Sequence, residues 1–395
     1  MESGWGMMNR FERHPRLVGI VVFGVFLLVG FIALECLLRF TSLGNLLVND
    51  PWSFAILRHL ELREYPPNTT FRFSPPSIRR SSGDDVQDVY LLQTDNQGFI
   101  QPGRIHRDPD ITIAFLGGST TECLYIEPEE RFPVLLGRVL EKQLGLKINI
   151  INAARSGSNT QHMQLVLQAK VLPLKPDIVV LMENVNDLGV LSRYGTYWNN
   201  DPIYTLIREE SRSISTGLRF IRDGFFGYSY RLLRHAGTQL FALLGLSSAQ
   251  AQSRPEVGQN EDWARQYEAS LTQFVHTAQS WGAQPVLMTQ VTQAGGDRQR
   301  DGSAGGNYLA DSLLARRGFS AQSFDDMHGY FNEIARYVAI KNGAGLVELS
   351  QAGGWNKTTL YDGLHFSSAG SHRVAAIAAP VLAAEILRIR QDRQR

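Results

Sequence analysis

The sequence predicts an α/β domain built on a five-stranded parallel sheet, preceded by one N-terminal transmembrane helix. Three observations carry this. Short apolar runs alternate with amphipathic segments over 111–390, the pattern of buried strands covered by helices on both faces. From Leu17 to Leu34 the chain reads LVGIVVFGVFLLVGFIAL, without a charge. The whole is 43% hydrophobic and 10% aromatic, enough to bury a core, which excludes wholesale disorder.

Taken in order, residues 1–16 form a cytoplasmic N-terminus and 17–38 the transmembrane helix. With Cys36, Leu37 and Leu38 beyond the single Glu35, the apolar stretch reaches the ~20 residues of one crossing. Arg10, Arg13 and Arg16 lie just before it and hold the N-terminus inside. A cleaved signal peptide would have a shorter apolar stretch and a small-residue site where Glu35, Cys36 and Leu37 stand. Everything beyond the helix is then extracytoplasmic, and periplasmic in a Gram-negative envelope.

Residues 39–110 read as a linker and irregular lead-in, because Pro66-Pro67 and Pro75-Pro76 forbid long helices. The main domain spans 111–390. Its buried strands are expected at 111–116, 148–153, 177–182, 285–291 and 345–350. Helices are expected at about 128–144, 160–172, 262–281, 325–342 and 367–390. Pro128 with Glu129 and Glu130 signals a helix start, and Ser367 an N-cap. An insert at 189–260 interrupts the alternation. Its segment 224–246 reads as a helix covering the core or, alternatively, as a basic amphipathic helix on the membrane surface. Residues 292–306 read as a mobile loop and 391–395 as a basic tail.

Composition also excludes functions. Lys plus Arg number 39 against 38 Asp plus Glu, a net charge of +1, so no basic face is predicted for nucleic acid. Two cysteines cannot make a disulfide framework or a four-cysteine zinc site. The chain has no H-E-x-x-H, no C-x-x-C and no Walker loop, so no metal or cofactor is predicted.

In a parallel sheet the ligand lies beyond the carboxyl ends of the strands. Ser119 follows the first strand, Gly157 the second, Asn186 the third, and Asp362 with His365 the fifth. A serine hydroxyl is a poor nucleophile until a base takes its proton, and that base needs a third group to fix its tautomer. Asp362 and His365, three residues apart, can bring a carboxylate against one ring nitrogen and leave the other for Ser119. The N–H of Ser119, the N–H of Gly157 and the amide of Asn186 offer three donors to a developing oxyanion. Each piece has a plainer reading alone: a tight turn, a chance D-x-x-H, a helix cap. Their placement after strands of one sheet, in one order, is what favours chemistry. Tyr194, Tyr197 and Trp198 could form a stacking surface for a sugar; core packing or a lid is the competing role.

This combination resembles the SGNH hydrolase (GDSL-type esterase/lipase) superfamily, whose four blocks carry Ser, Gly, Asn and His in that chain order. Ser119 matches the nucleophile, Gly157 and Asn186 the oxyanion donors, and Asp362 with His365 the last block. Two positions depart from the common form: Gly118 replaces the aspartate of Gly-Asp-Ser, and Asn184 the glycine of G-x-N-D. The lead-in Asp95-Asn96-Gln97-Gly98-Phe99 is similar to that of membrane-anchored bacterial members. The resemblance implies a flavodoxin-like three-layer sandwich and attack of Ser119 on an ester carbonyl, with His365 as general base.

The expected function is a membrane-anchored serine esterase removing a small, acetyl-like acyl group from an extracytoplasmic substrate, a carbohydrate by preference. The first alternative is an O-acyltransferase using the same residues on an exopolysaccharide or envelope glycan. The second is a non-catalytic scaffold of a polysaccharide assembly complex, for which a full set of five site residues is unnecessary. A phospholipase would require 224–246 at the mouth of the site.

Overall fold

A computed structural model of the chain describes residues 15–40, 57–60, 62–80, 86–199, 205–210, 259–292 and 321–395. They fall into two compact units, one drawn from 1–60 and 207–249, the other from 61–206 and 250–395. The first unit holds the 26-residue helix Pro15–Phe40 and an antiparallel ribbon of Leu57–Leu60 with Ile207–Glu210. Apolar side chains of that helix stand exposed, Ile20 at 71% and Phe26 at 79%. Among the described residues no helix is long and apolar enough to cross a membrane.

The second unit is built on β1 (Ile111–Gly117), β2 (Ile148–Asn152), β3 (Ile178–Met182), β4 (Gln284–Met288) and β5 (Gly345–Val347). They form one parallel sheet in the order β2-β1-β3-β4-β5. The helices between and after them are α1 (Phe132–Leu144), α2 (Thr160–Val166), α3 (Val185–Tyr194), α4 (Gln259–Ser280), α5 (Ala321–Lys341) and α6 (Ser368–Gln394).

Side chains alternate across a strand, and here both faces are apolar because helices cover both. Ile111, Ile113 and Phe115 of β1 pack with Phe132, Leu136 and Leu140 of α1 and with Val374, Ala378 and Leu382 of α6. Ala114 and Leu116 face the other way, into a core with Met163 of α2, Leu188 of α3, Phe274 of α4 and Phe331 of α5. The result is the three-layer α/β sandwich expected from the alternation.

The described lead-in residues, 62–80 and 86–110, include regular pairing where the sequence suggested an irregular linker. Thr70–Phe73 pairs antiparallel with Tyr90–Gln93. Asp95 then closes a turn, its Oδ1 accepting the N–H groups of Gln97 at 2.8 Å and Phe99 at 3.0 Å. Gly98 takes a positive φ of 79° at that turn, and Phe99 enters the core, 1% exposed. Beyond it the chain runs beside the edge strand β2: Ile100 N–H donates to Asn152 O and Ile150 N–H to Gly103 O, both at 3.0 Å. An edge whose backbone groups are occupied in this way no longer invites another strand.

Two boundaries also differ from expectation. Residues 128–144 are not one helix: Pro128–Glu130 is a 3-10 turn, Arg131 is extended, and α1 begins at Phe132. Pro133 has no N–H with which to continue the earlier turn. Arg131, fully buried, instead donates to the carbonyls of Cys123, Gln101 and Leu91. At the other end, 391–395 is no separate tail, because α6 continues to Gln394 and Arg393 pairs with Asp177. The N-cap at Ser367 is as expected, its Oγ accepting the N–H of Gly370 at 3.1 Å. Residues 224–246, and all of 292–306 but its first residue, lie outside the described residues.

Candidate active site

The strand order reverses between β2 and β3 around β1, so the loops after these three strands meet at the carboxyl edge of the sheet. After β1 comes the helical turn Ser119–Glu122. After β5, Asp362 organises a tight loop: its Oδ1 accepts the N–H of Leu364 at 3.0 Å and of His365 at 2.8 Å. The loop closes through Tyr361 N–H to His365 O at 3.0 Å, with Gly363 at φ 81°.

This loop delivers His365 to Ser119. His365 Nε2 lies 2.7 Å from Ser119 Oγ, and Nδ1 lies 2.6 Å from Asp362 Oδ2. The carboxylate at Nδ1 favours the tautomer with its proton there, leaving Nε2 as acceptor of the serine proton. Asp362 is 6% exposed and the His365 side chain 13%. Burial would raise the Asp362 carboxyl, but the His365 charge and the hydrogen bonds from His365 and Leu364 outweigh it and hold it below its ordinary value. Burial would lower His365, yet the charge and hydrogen bond of Asp362, with a contribution from Glu122, raise it. The ring is further fixed by Tyr361, stacked on it at 5.7 Å and 15°. Arg79, 2% exposed, holds its guanidinium 5.3 Å from the Tyr361 ring centre.

The predicted oxyanion donors arrive by separate routes. Gly157 has φ 75°, a left-handed conformation suited to glycine. Its carbonyl accepts from Arg63 Nη1 at 2.7 Å. The loop bearing it lies against the Ser119 turn: Arg155 N–H donates to Gly117 O at 3.0 Å. Past Gly157, Asn159 caps α2, accepting the N–H of His162 at 3.1 Å while His162 Nδ1 accepts the N–H of Asn159 at 3.2 Å. Burial lowers His162 to about 4, so the ring is neutral and able to accept.

Asn186, in the first turn of α3, places its carboxamide nitrogen beside Gly118 and 3.5 Å from Glu183 Oε2. Glu183 is 2% exposed. Burial, and then the neighbouring charge of Asp187, push its carboxyl well above the ordinary range. Asp187 is itself raised to about 6 by burial, although it accepts from Thr160 N–H at 3.1 Å and Tyr197 Oη at 2.6 Å.

Ser119, His365 and Asp362 thus form one hydrogen-bonded chain, with the Gly157 loop and Asn186 packed against the turn that starts it. The aromatic trio does not stay together. Tyr197 is 7% exposed with its hydroxyl committed to Asp187, so it is a core residue and no sugar platform. Tyr194 is part-buried against the same core, and Trp198 is 60% exposed. Cys123 is a packing residue, 5% exposed, its thiol donating to Thr120 O at 3.2 Å. Among the described residues no group of three or more His, Cys, Asp or Glu could hold a metal ion.

Arg63, Tyr65 and Arg79 also belong to this site, and sequence reasoning left them in the linker. Arg63 is 94 positions from the glycine it contacts, and no local pattern announces such a pairing. Glu122 was closer to hand, on the same turn as Ser119.

The sequence profile described as the GDSL-like Lipase/Acylhydrolase family matches residues 115–373. No curated protein matches. Among solved structures, the acetylxylan esterase Axe2 from Geobacillus stearothermophilus is 16% identical, covering 70% of this chain and 94% of its own, with a TM-score of 0.38. A lipase/acylhydrolase from Enterococcus faecalis is 16% identical, covering 69% and 96%, with a TM-score of 0.40. The α/β hydrolase LAE5 from the metagenome of Lake Arreo, Spain, is 16% identical, covering 70% and 95%, with a TM-score of 0.38.

Proposed function

This chain belongs to the GDSL-like lipase/acylhydrolase family and is a serine hydrolase acting on ester bonds; we propose that Ser119 is its nucleophile, and that it removes a small, acetyl-like acyl group from an extracytoplasmic carbohydrate. The observation that carries the catalytic part is the chain from Ser119 Oγ through His365 to Asp362, at 2.7 and 2.6 Å. As Ser119 Oγ bonds to the ester carbonyl carbon, His365 Nε2 takes its proton. The negative charge on the former carbonyl oxygen meets the N–H groups of Ser119 and Gly157 and the Asn186 amide, each such donor lowering the barrier by ~3 kcal/mol. His365 then gives the proton to the departing alcohol oxygen, and the acyl group stays on Ser119. Water completes the cycle: His365 takes a proton from it, its oxygen bonds to the acyl carbon, the carboxylic acid leaves, and Ser119 recovers its proton.

The extracytoplasmic setting is supported by the uncharged stretch 17–34 behind Arg10, Arg13 and Arg16, the positive-inside arrangement of a single-pass anchor. An anchor of this orientation puts the catalytic unit among envelope glycans, whose acylated hydroxyls are esters of the right kind. Trp198, exposed just beyond the helix that carries Asn186, offers an aromatic face to a sugar.

The test is hydrolysis of p-nitrophenyl acetate by the full chain in detergent, beside Ser119→Ala, followed by release of acetate from acetylated glycans. Running the glycan reaction with and without a polysaccharide acceptor separates hydrolysis from transfer. Accumulation of newly acylated acceptor at the expense of free acid would replace the esterase with an acyltransferase. A wild type inert to esters, and unlabelled by a fluorophosphonate, would leave the scaffold reading in its place.

A further inference from the structure

Glu122 is a fully buried carboxylate one turn after Ser119, at 0% exposure, and the reaction proposed above makes no use of it. Both of its oxygens are occupied. Oε1 accepts from Tyr65 Oη at 2.6 Å and from Ser156 N–H at 3.1 Å; Oε2 accepts from Ser156 Oγ. Arg155 Nη1 stands 3.6 Å from Oε1, and its guanidinium lies 4.0 Å from the centre of the Tyr65 ring. Three segments far apart in sequence therefore converge on one side chain: the lead-in, the nucleophile turn and the loop after β2.

The convergence falls next to Gly157. The residue before it, Ser156, is held by N–H and side chain on Glu122, while the carbonyl of Gly157 itself is held by Arg63. Arg63 and Tyr65 come from the same short stretch of the lead-in, so one segment completes the grip from both sides. A carboxylate taken out of water is destabilising unless its partners are well placed, and burial at this depth implies that the arrangement is kept for its geometry. We infer that Glu122 is a positioning residue that locks the Gly157 loop to the turn bearing Ser119, so that nucleophile and oxyanion donor address the same carbonyl. The inference rests on the roles proposed for Ser119 and Gly157.

Glu122 also faces the catalytic histidine electrostatically. The groups acting on His365 are Asp362 at Nδ1, Tyr361 stacked on its ring, and the charge of Glu122. The groups around Glu122 are Arg155, Arg131, Tyr65, Tyr125 and Cys123, the last a neutral thiol raised to about 12 by burial. Removing the Glu122 charge therefore moves the titration of His365 downward, an effect that a side chain serving only to fill space does not have.

The experiment compares wild type, Glu122→Gln and Glu122→Ala as full chains in detergent. It reads kcat and KM on p-nitrophenyl acetate, the pH profile of kcat/KM, and thermal unfolding. Gln keeps an oxygen for Tyr65 and Ser156 N–H and an amide that can donate to Ser156 Oγ, without the charge. The expected result is a fall in kcat of about 100-fold for Glu122→Ala with KM little changed, the scale of a displaced reacting group. Glu122→Gln recovers about tenfold of it, and its acid limb moves to lower pH. Should Glu122→Ala fail to fold, the Gln variant decides through its pH profile. Wild-type kcat in Glu122→Ala, or a Gln variant whose acid limb and kcat coincide with wild type, overturns the assignment. An inert wild type instead sinks the serine-hydrolase mechanism, so the two failures are told apart.

Discussion

The carboxamide nitrogen of Asn186 stands where a β-carbon on Gly118 would have to be built. Gly118 has φ −86° and ψ −152°, an extended conformation open to any residue, so glycine is required there for space rather than for backbone freedom. The position before the proposed nucleophile and the proposed third oxyanion donor are thus packed as a pair. Gly118→Ala should leave the fold intact, because the atom that must give way is the end of a side chain. It should lower kcat by about 10–100-fold, since that atom is the proposed donor to the oxyanion. Asn186→Ala alone should cost about 100-fold or more in kcat. Kinetics of the double variant check the coupling: it should be no slower than Asn186→Ala, because the donor that Gly118→Ala displaces is already gone.

Ser119→Ala removes the proposed nucleophile and should reduce kcat by about 10⁴-fold or more, leaving only what binding and the oxyanion donors supply. Thermal unfolding should match wild type, as the hydroxyl bonds only to His365 among the described residues. Fluorophosphonate labelling followed by mass spectrometry should place the adduct on residue 119 in wild type and nowhere in the variant. An adduct elsewhere on a catalytically competent variant would reassign the nucleophile.

The pH profile follows from the pair His365–Asp362. Only neutral His365 can take the serine proton, so activity is lost as pH falls through its folded-state pKa. Asp362 and Glu122 raise that pKa, so the acid limb of kcat/KM should lie above the ~6.5 of an ordinary histidine. Stability carries opposite signs for the two partners. The contribution of His365 is complete below its unfolded pKa and lost as pH rises through the raised folded value. That of Asp362, whose pKa is depressed, is present above its unfolded value and lost as pH falls through the folded one. Asp362→Asn should drop kcat by about 10⁴-fold through the wrong tautomer and move the acid limb down. A limb that stays in place would mean that another group sets it.

The sheet and the four loops of the site were legible for one reason: each depends on local pattern. Ile111 to Leu116 read as a strand because both of its faces are apolar, and Ser119, Gly157, Asn186 and His365 could be sought where such strands end. Arg131 and Tyr197 show where local pattern fails. A buried arginine satisfied by the carbonyls of Cys123, Gln101 and Leu91, and a tyrosine bound to Asp187, look in sequence like a surface charge and an aromatic platform. Arg63 and Tyr65 fail for a further reason: Pro66-Pro67 correctly excludes a helix, but an extended segment can still be fastened by side chains to partners 94 and 57 positions away.

Gly157→Ala separates strain from function. At φ 75° an alanine is held in a conformation that costs about 1–2 kcal/mol. The atoms nearest the added β-carbon are those of the Arg63 guanidinium, no closer than 3.4 Å, an ordinary contact. The loop could release the strain by turning, which would swing the Gly157 N–H away from the oxyanion. Arg63 on one side and Glu122 on the other oppose that turn, so the strain should be retained. Denaturant unfolding of Gly157→Ala should therefore show a loss of about 1–2 kcal/mol, while kcat falls by less than about tenfold. In a background of Glu122→Ala the split should reverse, with stability partly recovered and kcat driven lower, because the loop is then free to relax. Equal effects in both backgrounds would mean that the clamp does not hold the glycine.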